Sequence, residues 1–189
     1  MDIILGLIVG ISLSAACGFR VFVPLLIMSI ANMTGHLELA ANFAWLGSWP
    51  ALIALSAATI LEIAAYYIPW VDELLDTIAT PAAIVAGTVV TASQLGGLPP
   101  VLQWSIAAIT GGGVSSVVQA GTVAARATST LATGGLGNFI VASGEDFGAF
   151  LIAILAIVMP IFCILAVALI CYKLLRITLF RKTQPQPTC

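Results

Sequence analysis

The sequence predicts an all-α integral membrane protein with about six membrane-embedded helices, within a range of five to seven. Hydrophobic residues make up 61% of the chain and charged residues only 7%, and the mean hydropathy is +1.16. A soluble domain carries roughly a quarter of charged residues, so this chain has too few to cover its surface in water. Its apolar segments are continuous rather than alternating, which disfavours a transmembrane β-barrel.

Glycine and proline divide the apolar sequence into segments. The first stretch holds Gly18 and Pro24, and because proline cannot donate to the helical ladder, we expect two pieces, about 3–18 and 20–33. The segments expected next are a loop or interfacial piece at 34–49, a span at 50–68, a short amphipathic piece between Pro69 and Pro81, and a weak span at 82–95. The segments expected after these are 101–110, a break at Gly111–Gly113, a helix at 114–133, a second break at 134–138, and a run at 147–172 that Pro160 kinks or divides.

We expect one helical domain over residues 1–180 and a disordered tail over 181–189. A weak internal similarity is also present. Gly10-Ile-Ser with Gly18 resembles Gly113-Val-Ser with Gly121, and an arginine follows each motif. Two inverted halves are therefore one alternative architecture.

A polar stripe follows one face of the segment 114–133. Its members recur at steps of three and four residues, which places them on one side of a helix. They are Ser115, Gln119, Thr122, Arg126, Ser129 or Thr130, and Thr133. A helix of this length covers about 27 Å, close to the thickness of a bilayer core. Such a stripe must face protein or water, which favours a polar pathway.

Charged residues lie within or beside the apolar segments, where each costs about 2.5–3.5 kcal/mol on insertion scales. The functional interpretation is that Arg20, Arg126, Glu62, Glu145 and Asp146 line a substrate pathway together with Asn138. The structural alternative is that Arg20–Glu62 and Arg126–Glu145 are static ion pairs. The glycine breaks before and after the stripe favour discontinuous helices, which transporters use to build substrate sites.

Asp72, Glu73 and Asp76 form an acidic group on the short amphipathic piece. They are interpreted either as interfacial acids in water or as a cluster at the mouth of the pathway. No catalytic set, metal motif or cofactor motif is recognised. No basic patch interleaved with aromatic residues is present, so nucleic acid is not an expected partner.

Four of the six basic residues, Lys173, Arg176, Arg181 and Lys182, follow the last apolar run. The positive-inside tendency therefore predicts a cytoplasmic C-terminus. We expect a multi-pass protein of the bacterial inner membrane.

Several short sequence motifs resemble those of one protein family. They are Leu13-Ser-Ala-Ala-Cys-Gly-Phe-Arg-Val-Phe-Val-Pro-Leu25, Ile68-Pro-Trp-Val-Asp-Glu-Leu-Leu-Asp-Thr77, Arg126-Ala-Thr-Ser-Thr130, Gly134-Gly-Leu-Gly-Asn138 and Ser143-Gly-Glu-Asp146. The chain resembles, over about residues 5–165, the bacterial membrane-protein family catalogued as domain of unknown function 4126. The resemblance implies a multi-pass membrane protein and implies no substrate. The chain departs from the family pattern at Phe139, where proline is usual, and at Tyr66–Tyr67, where an acid is usual.

Together these observations predict a transporter or channel-like protein for a small polar or ionic solute, with an anion slightly favoured. Its expected partners are the lipid bilayer, that solute and a second copy of the chain in a homo-oligomer. One rival is a structural or assembly protein that docks a partner through small-residue helix faces such as Gly6, Gly10, Ser14 and Gly18. A second rival is an intramembrane lipid-modifying enzyme that uses acidic residues.

Overall fold

The structure, a computed structural model, describes residues 2–68 and 71–181, except for the side chains of residues 72, 73, 175 and 177–181. Within these ranges every regular element is a helix, which confirms the predicted all-α class. The helices are α1 (Ile3–Cys17), α2 (Phe22–Met33), α3 (Trp49–Tyr66), α4 (Val71–Gln94), α5 (Pro100–Ala107), α6 (Gly113–Thr133), α7 (Asn138–Val158) and α8 (Pro160–Arg181). A 3₁₀ segment, Ala41–Gly47, precedes α3, and a π-helical turn, Ala108–Gly112, joins α5 to α6. The predicted tail lies outside the described residues, apart from Arg181.

Among the described residues, four helices are long and apolar enough to cross a membrane. They are Trp49–Tyr66, Leu74–Gln94, Pro100–Thr133 and Asn138–Val158. Three shorter apolar helices accompany them, at Ile3–Cys17, Phe22–Met33 and Pro160–Leu174. The predicted membrane class agrees with these helices, and the number of spans stays a prediction.

Helices α1 and α2 form a hairpin with its tip inside the protein. Midway along α1, a Cβ placed on Gly10 would lie 2.9 Å from the Cα atom of Thr91, close to the end of α4. The second half of α2 lies beside the same end of α4, because the Ser93 hydroxyl donates to the Met28 sulfur at 3.3 Å. Both helices are shorter than the roughly 20 residues that a span requires. The hairpin therefore carries its tip, which contains Arg20, into the interior from one side.

Pro81 lies inside α4 and does not end a helix. The predicted division into an amphipathic piece and a separate span at 82–95 is therefore wrong. In membrane helices, hydroxyl side chains and neighbouring helices satisfy the backbone groups that a proline disturbs. Here the Thr80 hydroxyl donates to the Asp76 carbonyl at 3.0 Å, next to the Thr77 carbonyl, to which an N–H at position 81 would donate in a regular helix.

The triple glycine likewise does not break the chain, and the predicted break at Gly111–Gly113 is wrong. The helical path continues from α5 through the π-helical turn into α6. The glycines allow close packing instead, since a Cβ on Gly111 would collide with Thr91 and with the backbone of Gly87. Close approach through small residues replaces the hydrophobic driving force that helices lack in lipid.

The second predicted break is confirmed at the turn between α6 and α7. Gly134 and Gly135 have φ values of 65° and 92°, a left-handed conformation that favours glycine. Helix α7 begins at Asn138, so Glu145 and Asp146 lie within it rather than in the expected connection before 147. A bent pair of helices follows, because α7 ends at Val158 and α8 begins at Pro160.

Helix α8 folds back along α7 and α6. The Cys163 thiol donates to the Ile152 carbonyl at 3.5 Å. Farther along α8, Leu174 packs on Gly121, where a Cβ would lie 2.8 Å from the leucine methyl carbons. The far end of α8 thus lies on the same side of the molecule as the end of α6 and the start of α7.

The two glycine-serine motifs of the suggested repeat adopt different local structures around their arginines. Arg20 lies in the non-helical tip between α1 and α2, whereas Arg126 lies inside the continuous helix α6. The similarity of the motifs therefore does not extend to the backbone around the charged residue.

Candidate functional site

Glu145 of α7 joins the two interior arginines. Its Oε2 atom accepts from Arg20 Nη1 at 3.2 Å and from Arg126 Nη2, while Oε1 accepts from Arg126 Nε at 3.2 Å. All three side chains are at least 95% buried. One carboxylate therefore holds both guanidinium groups, and Arg126 is held through two of its nitrogens, which fixes its orientation.

The other hydrogen bonds of Arg20 are with the first half of α7 and with its own chain neighbour. Its Nε donates to Asp146 Oδ1 at 2.5 Å, and its Nη2 donates to the Ala142 carbonyl at 3.2 Å. A longer contact of 3.4 Å joins Nη1 to the Phe19 carbonyl. Partners of this kind are what a buried charge requires.

Arg126 contacts a second carboxylate and an aromatic ring. Its Nη1 donates to Asp76 Oδ1 at 3.1 Å, across the gap between α6 and α4. The guanidinium carbons of Arg126 and Arg20 each lie 4.0 Å from the centroid of the Tyr66 ring. Tyr66 therefore provides a cation–π contact to both arginines.

Glu62 binds the backbone rather than an arginine. Its two carboxylate oxygens accept from the amides of Val21 and Phe22 at 2.6 and 3.0 Å. Those amides begin α2, where a helix exposes unpaired N–H groups and positive partial charge. Of the two predicted static pairs, Arg126–Glu145 forms, whereas the described ion pairs of Arg20 are with Glu145 and Asp146. Glu62 thus stabilises the tip of the hairpin.

An open crevice of about 580 Å³ lies between α4, α6 and the start of α7. Its polar wall consists of Asp76, Thr77, Thr80, Arg126, Thr130 and Asn138. The rest of the wall is apolar: Val123, Ala127 and Leu131. The Arg126–Asp76 ion pair is therefore part of the crevice surface.

The polar stripe of α6 divides into two parts. Its first members, Ser115, Gln119 and Thr122, are buried, and Ser115 packs against Gly87, where a Cβ would lie 2.6 Å from the serine hydroxyl. Beyond Arg126, Ser129 and Thr130 are half-buried and Thr133 is exposed. Of the stripe members, Arg126 and Thr130 line the crevice.

The second part of the stripe also builds the turn into α7. The Asn138 side-chain amide donates to the Thr130 hydroxyl at 3.0 Å, and the Thr133 hydroxyl accepts from the Gly137 amide at 2.8 Å. Of the predicted acids, Asp76 lies at the crevice, and the side chains of Asp72 and Glu73 lie outside the described residues.

Sequence reasoning missed the contributions of two tyrosines. Tyr66 shares a helix face with Glu62, four residues earlier, and this spacing was the available signal. The Tyr67 hydroxyl donates to Asp146 Oδ2 at 3.1 Å and lies 3.1 Å from the Ser143 hydroxyl. Nothing in the spacing of Tyr67 indicates that contact, which depends on how α3 meets α7.

Among the described residues, no group of three His, Cys, Asp or Glu side chains is placed to hold a metal ion. The carboxylates of the site face guanidinium groups or backbone amides instead. The arrangement can bind an anion at Arg126, accept a proton at a carboxylate, or do both.

Long apolar helices around an interior charge cluster define a helical membrane protein. The chain belongs to the family described as Domain of unknown function (DUF4126), whose model matches residues 7–179. This confirms the resemblance found in the sequence. No curated protein and no solved structure matches the chain.

Proposed function

We propose that this chain is a transporter or channel-like membrane protein for a small polar or ionic solute, with the crevice at Arg126 as its binding port. The observation that carries the proposal is the Arg126–Asp76 ion pair on the wall of a cavity of about 580 Å³. That volume lies within the range of small-molecule sites, which are concave and hold a few placed polar groups.

The energetics of the cluster support a functional role. A buried ion pair gives little net stability, because desolvation offsets the attraction, and apolar replacements of similar volume are often as stable. Packing alone therefore does not require Arg20, Arg126 and Glu145. Ionisable residues in membrane helices characteristically mark substrate or proton pathways.

The fold suggests how the site is oriented. The far end of α8 lies on the crevice side of the molecule. With the C-terminus in the cytoplasm, as the basic residues favour, the crevice opens in the cytoplasmic half of a bacterial inner membrane. Solute that enters there next meets Arg126, and beyond it the buried residues Gln119 and Ser115.

Transport through this port requires a second conformation. Gln119 and Ser115 are closed off by α1 and α4, since a Cβ on Gly18 would lie 2.7 Å from the Ser115 carbonyl oxygen. The hairpin tip is the element that must move, because it is short, non-helical and packed on this part of α6. In transporters, breaks between helices of this kind lie at the substrate site.

The close packing at Ser115 also favours a second candidate, a structural or assembly protein. In that case the first part of the stripe serves only to bring α1, α4 and α6 together through small residues. This candidate predicts a stripe that stays dry in every state.

Cysteine accessibility tests the proposed port. In a chain whose native cysteines are replaced by alanine, we expect Thr130→Cys to react with a membrane-impermeant thiosulfonate added on the C-terminal side. Ser115→Cys, on the same helix but fully buried, is the matched comparison. It is expected to react slowly, because only the second conformation exposes it, whereas the assembly role predicts no reaction. Equal protection of both positions from both sides would contradict the port and leave the assembly role.

A further inference from the structure

We infer that the crevice binds a monocarboxylate, which replaces Asp76 on Arg126 while Asp76 takes up a proton. This inference rests on the proposed function, because it names the solute class and the coupling ion of the same site. It begins from the Asp76 carboxylate, which already occupies the crevice-facing nitrogen of Arg126 at 3.1 Å.

The two carboxylates that bind Arg126 differ in their surroundings. Glu145 holds Nε and Nη2, is 5% exposed and also binds Arg20. Asp76 holds Nη1, is 15% exposed and lines the crevice. A solute carboxylate can therefore reach Nη1 and exchange with Asp76, while Glu145 keeps the guanidinium oriented.

The rest of the crevice fits a carboxylate that carries an apolar part. Hydroxyl and amide groups from Thr77, Thr130 and Asn138 lie on the polar side. Val123 and Leu131 form an apolar side. A volume of about 580 Å³ exceeds what a carboxylate group alone occupies, and apolar walls favour a hydrocarbon substituent.

Charge balance couples the exchange to a proton. Asp76 pairs with Arg126 on α6, and the same guanidinium contacts Tyr66 of α3 and Glu145 of α7, with Arg20 beyond them. A solute anion added to this group would place three carboxylates around one guanidinium. If Asp76 binds one proton, its ion pair with Arg126 is lost, the solute forms the same ion pair, and the charge of the site is unchanged.

Calorimetry with a defined probe tests the coupling. The purified full chain in detergent is titrated with butyrate near neutral pH, in buffers that differ in ionisation enthalpy. The dependence of the observed heat on that enthalpy gives the protons taken up, and we expect about one per butyrate. Asp76→Asn should bind butyrate with no proton uptake, whereas Glu38→Gln, at an exposed acid outside the crevice, should keep it.

Arg126→Lys provides a second test, because it keeps the charge and removes the planar set of donors. We expect butyrate affinity to fall by about 10- to 100-fold. Proton-free binding by the wild type, or unchanged proton uptake in Asp76→Asn, would overturn the inference. Equal affinity for butyrate and chloride would also overturn it, because chloride does not reproduce a carboxylate.

The carboxylate could reach the site from water or from the membrane. To distinguish these two sources, the same titration is repeated with oleate incorporated in detergent micelles. Tighter proton-linked binding of oleate would assign the site to a carboxylate that arrives from the membrane, and tighter binding of butyrate to one from water. Butyrate binding without flux in proteoliposomes would contradict transport but retain the site. Flux of another solute without carboxylate binding would contradict the site but retain transport.

Discussion

Glu145→Gln is the substitution that most directly tests the charge cluster. The structure gives Glu145 three N–H partners on two buried arginines. Glutamine keeps the volume and one acceptor oxygen but removes the charge that both guanidinium groups share. Loss of one partner from a buried pair costs about 3–5 kcal/mol, and because Asp76 and Asp146 remain as counter-charges, we expect the lower value, about 3 kcal/mol.

Thermal unfolding in detergent measures this loss. For a chain of this length, about 3 kcal/mol corresponds to a decrease in Tm of about 6–12 °C. Cys17 is fully buried and unpaired, so a thiol-reactive fluorophore reports its exposure as the protein unfolds. Glu38→Gln, at an exposed position, is the control and should change stability by no more than about 0.5 kcal/mol. A Tm for Glu145→Gln equal to that of Glu38→Gln would refute the account of the cluster.

Three further substitutions, one of them paired with a control variant, probe the surroundings of the cluster by the same unfolding assay. Glu62→Gln should destabilise the protein by about 1 kcal/mol, because it weakens the carboxylate cap of α2; an unchanged Tm would remove that role. Gly10→Ala should lower the free energy of unfolding by about 1–3 kcal/mol, because the new Cβ would collide with the backbone of Thr91. Gly148→Ala is the control: its Cβ has no neighbour within 4 Å, and the variant should be neutral or stabilising. Equal effects of the two substitutions would contradict the close packing of α1 on α4. Tyr66→Leu should cost about 1–4 kcal/mol for two cation–π contacts, and a stable variant would show that the ring contributes only volume.

The class of fold could be predicted because composition and apolar length act locally and strongly. The division of the first stretch into two helices could also be predicted, since Gly18 and Pro24 disfavour a continuous helix there, whereas their packing as a hairpin depends on tertiary contacts. Pro81 and Gly111–Gly113 have the same local preferences, yet both lie within continuous helices. Neighbouring helices decide these cases, because they satisfy the backbone and press against the glycines.

The members of the charge cluster could be named from the sequence, whereas their pairing could not. Placing a charged side chain in an apolar segment costs free energy, so such a residue is rare and easy to recognise in the sequence. Arg20, Arg126 and Glu145 are recognised in this way. Partner choice depends on tertiary contacts: Glu62 meets the amides that begin α2, and Arg20 meets α7 instead. The crevice itself has no local signal, because it depends on the spacing between α4 and α6.

Flux through a reversibly blocked port tests the central claim most directly. Proteoliposomes containing Thr130→Cys protein without its native cysteines are assayed for butyrate uptake before and after modification by a bulky thiosulfonate. The account predicts uptake that the modification abolishes and that reduction of the mixed disulfide restores. Uptake that continues unchanged in the fully modified protein, or no uptake before modification, would contradict the claim that a carboxylate moves through the crevice at Arg126.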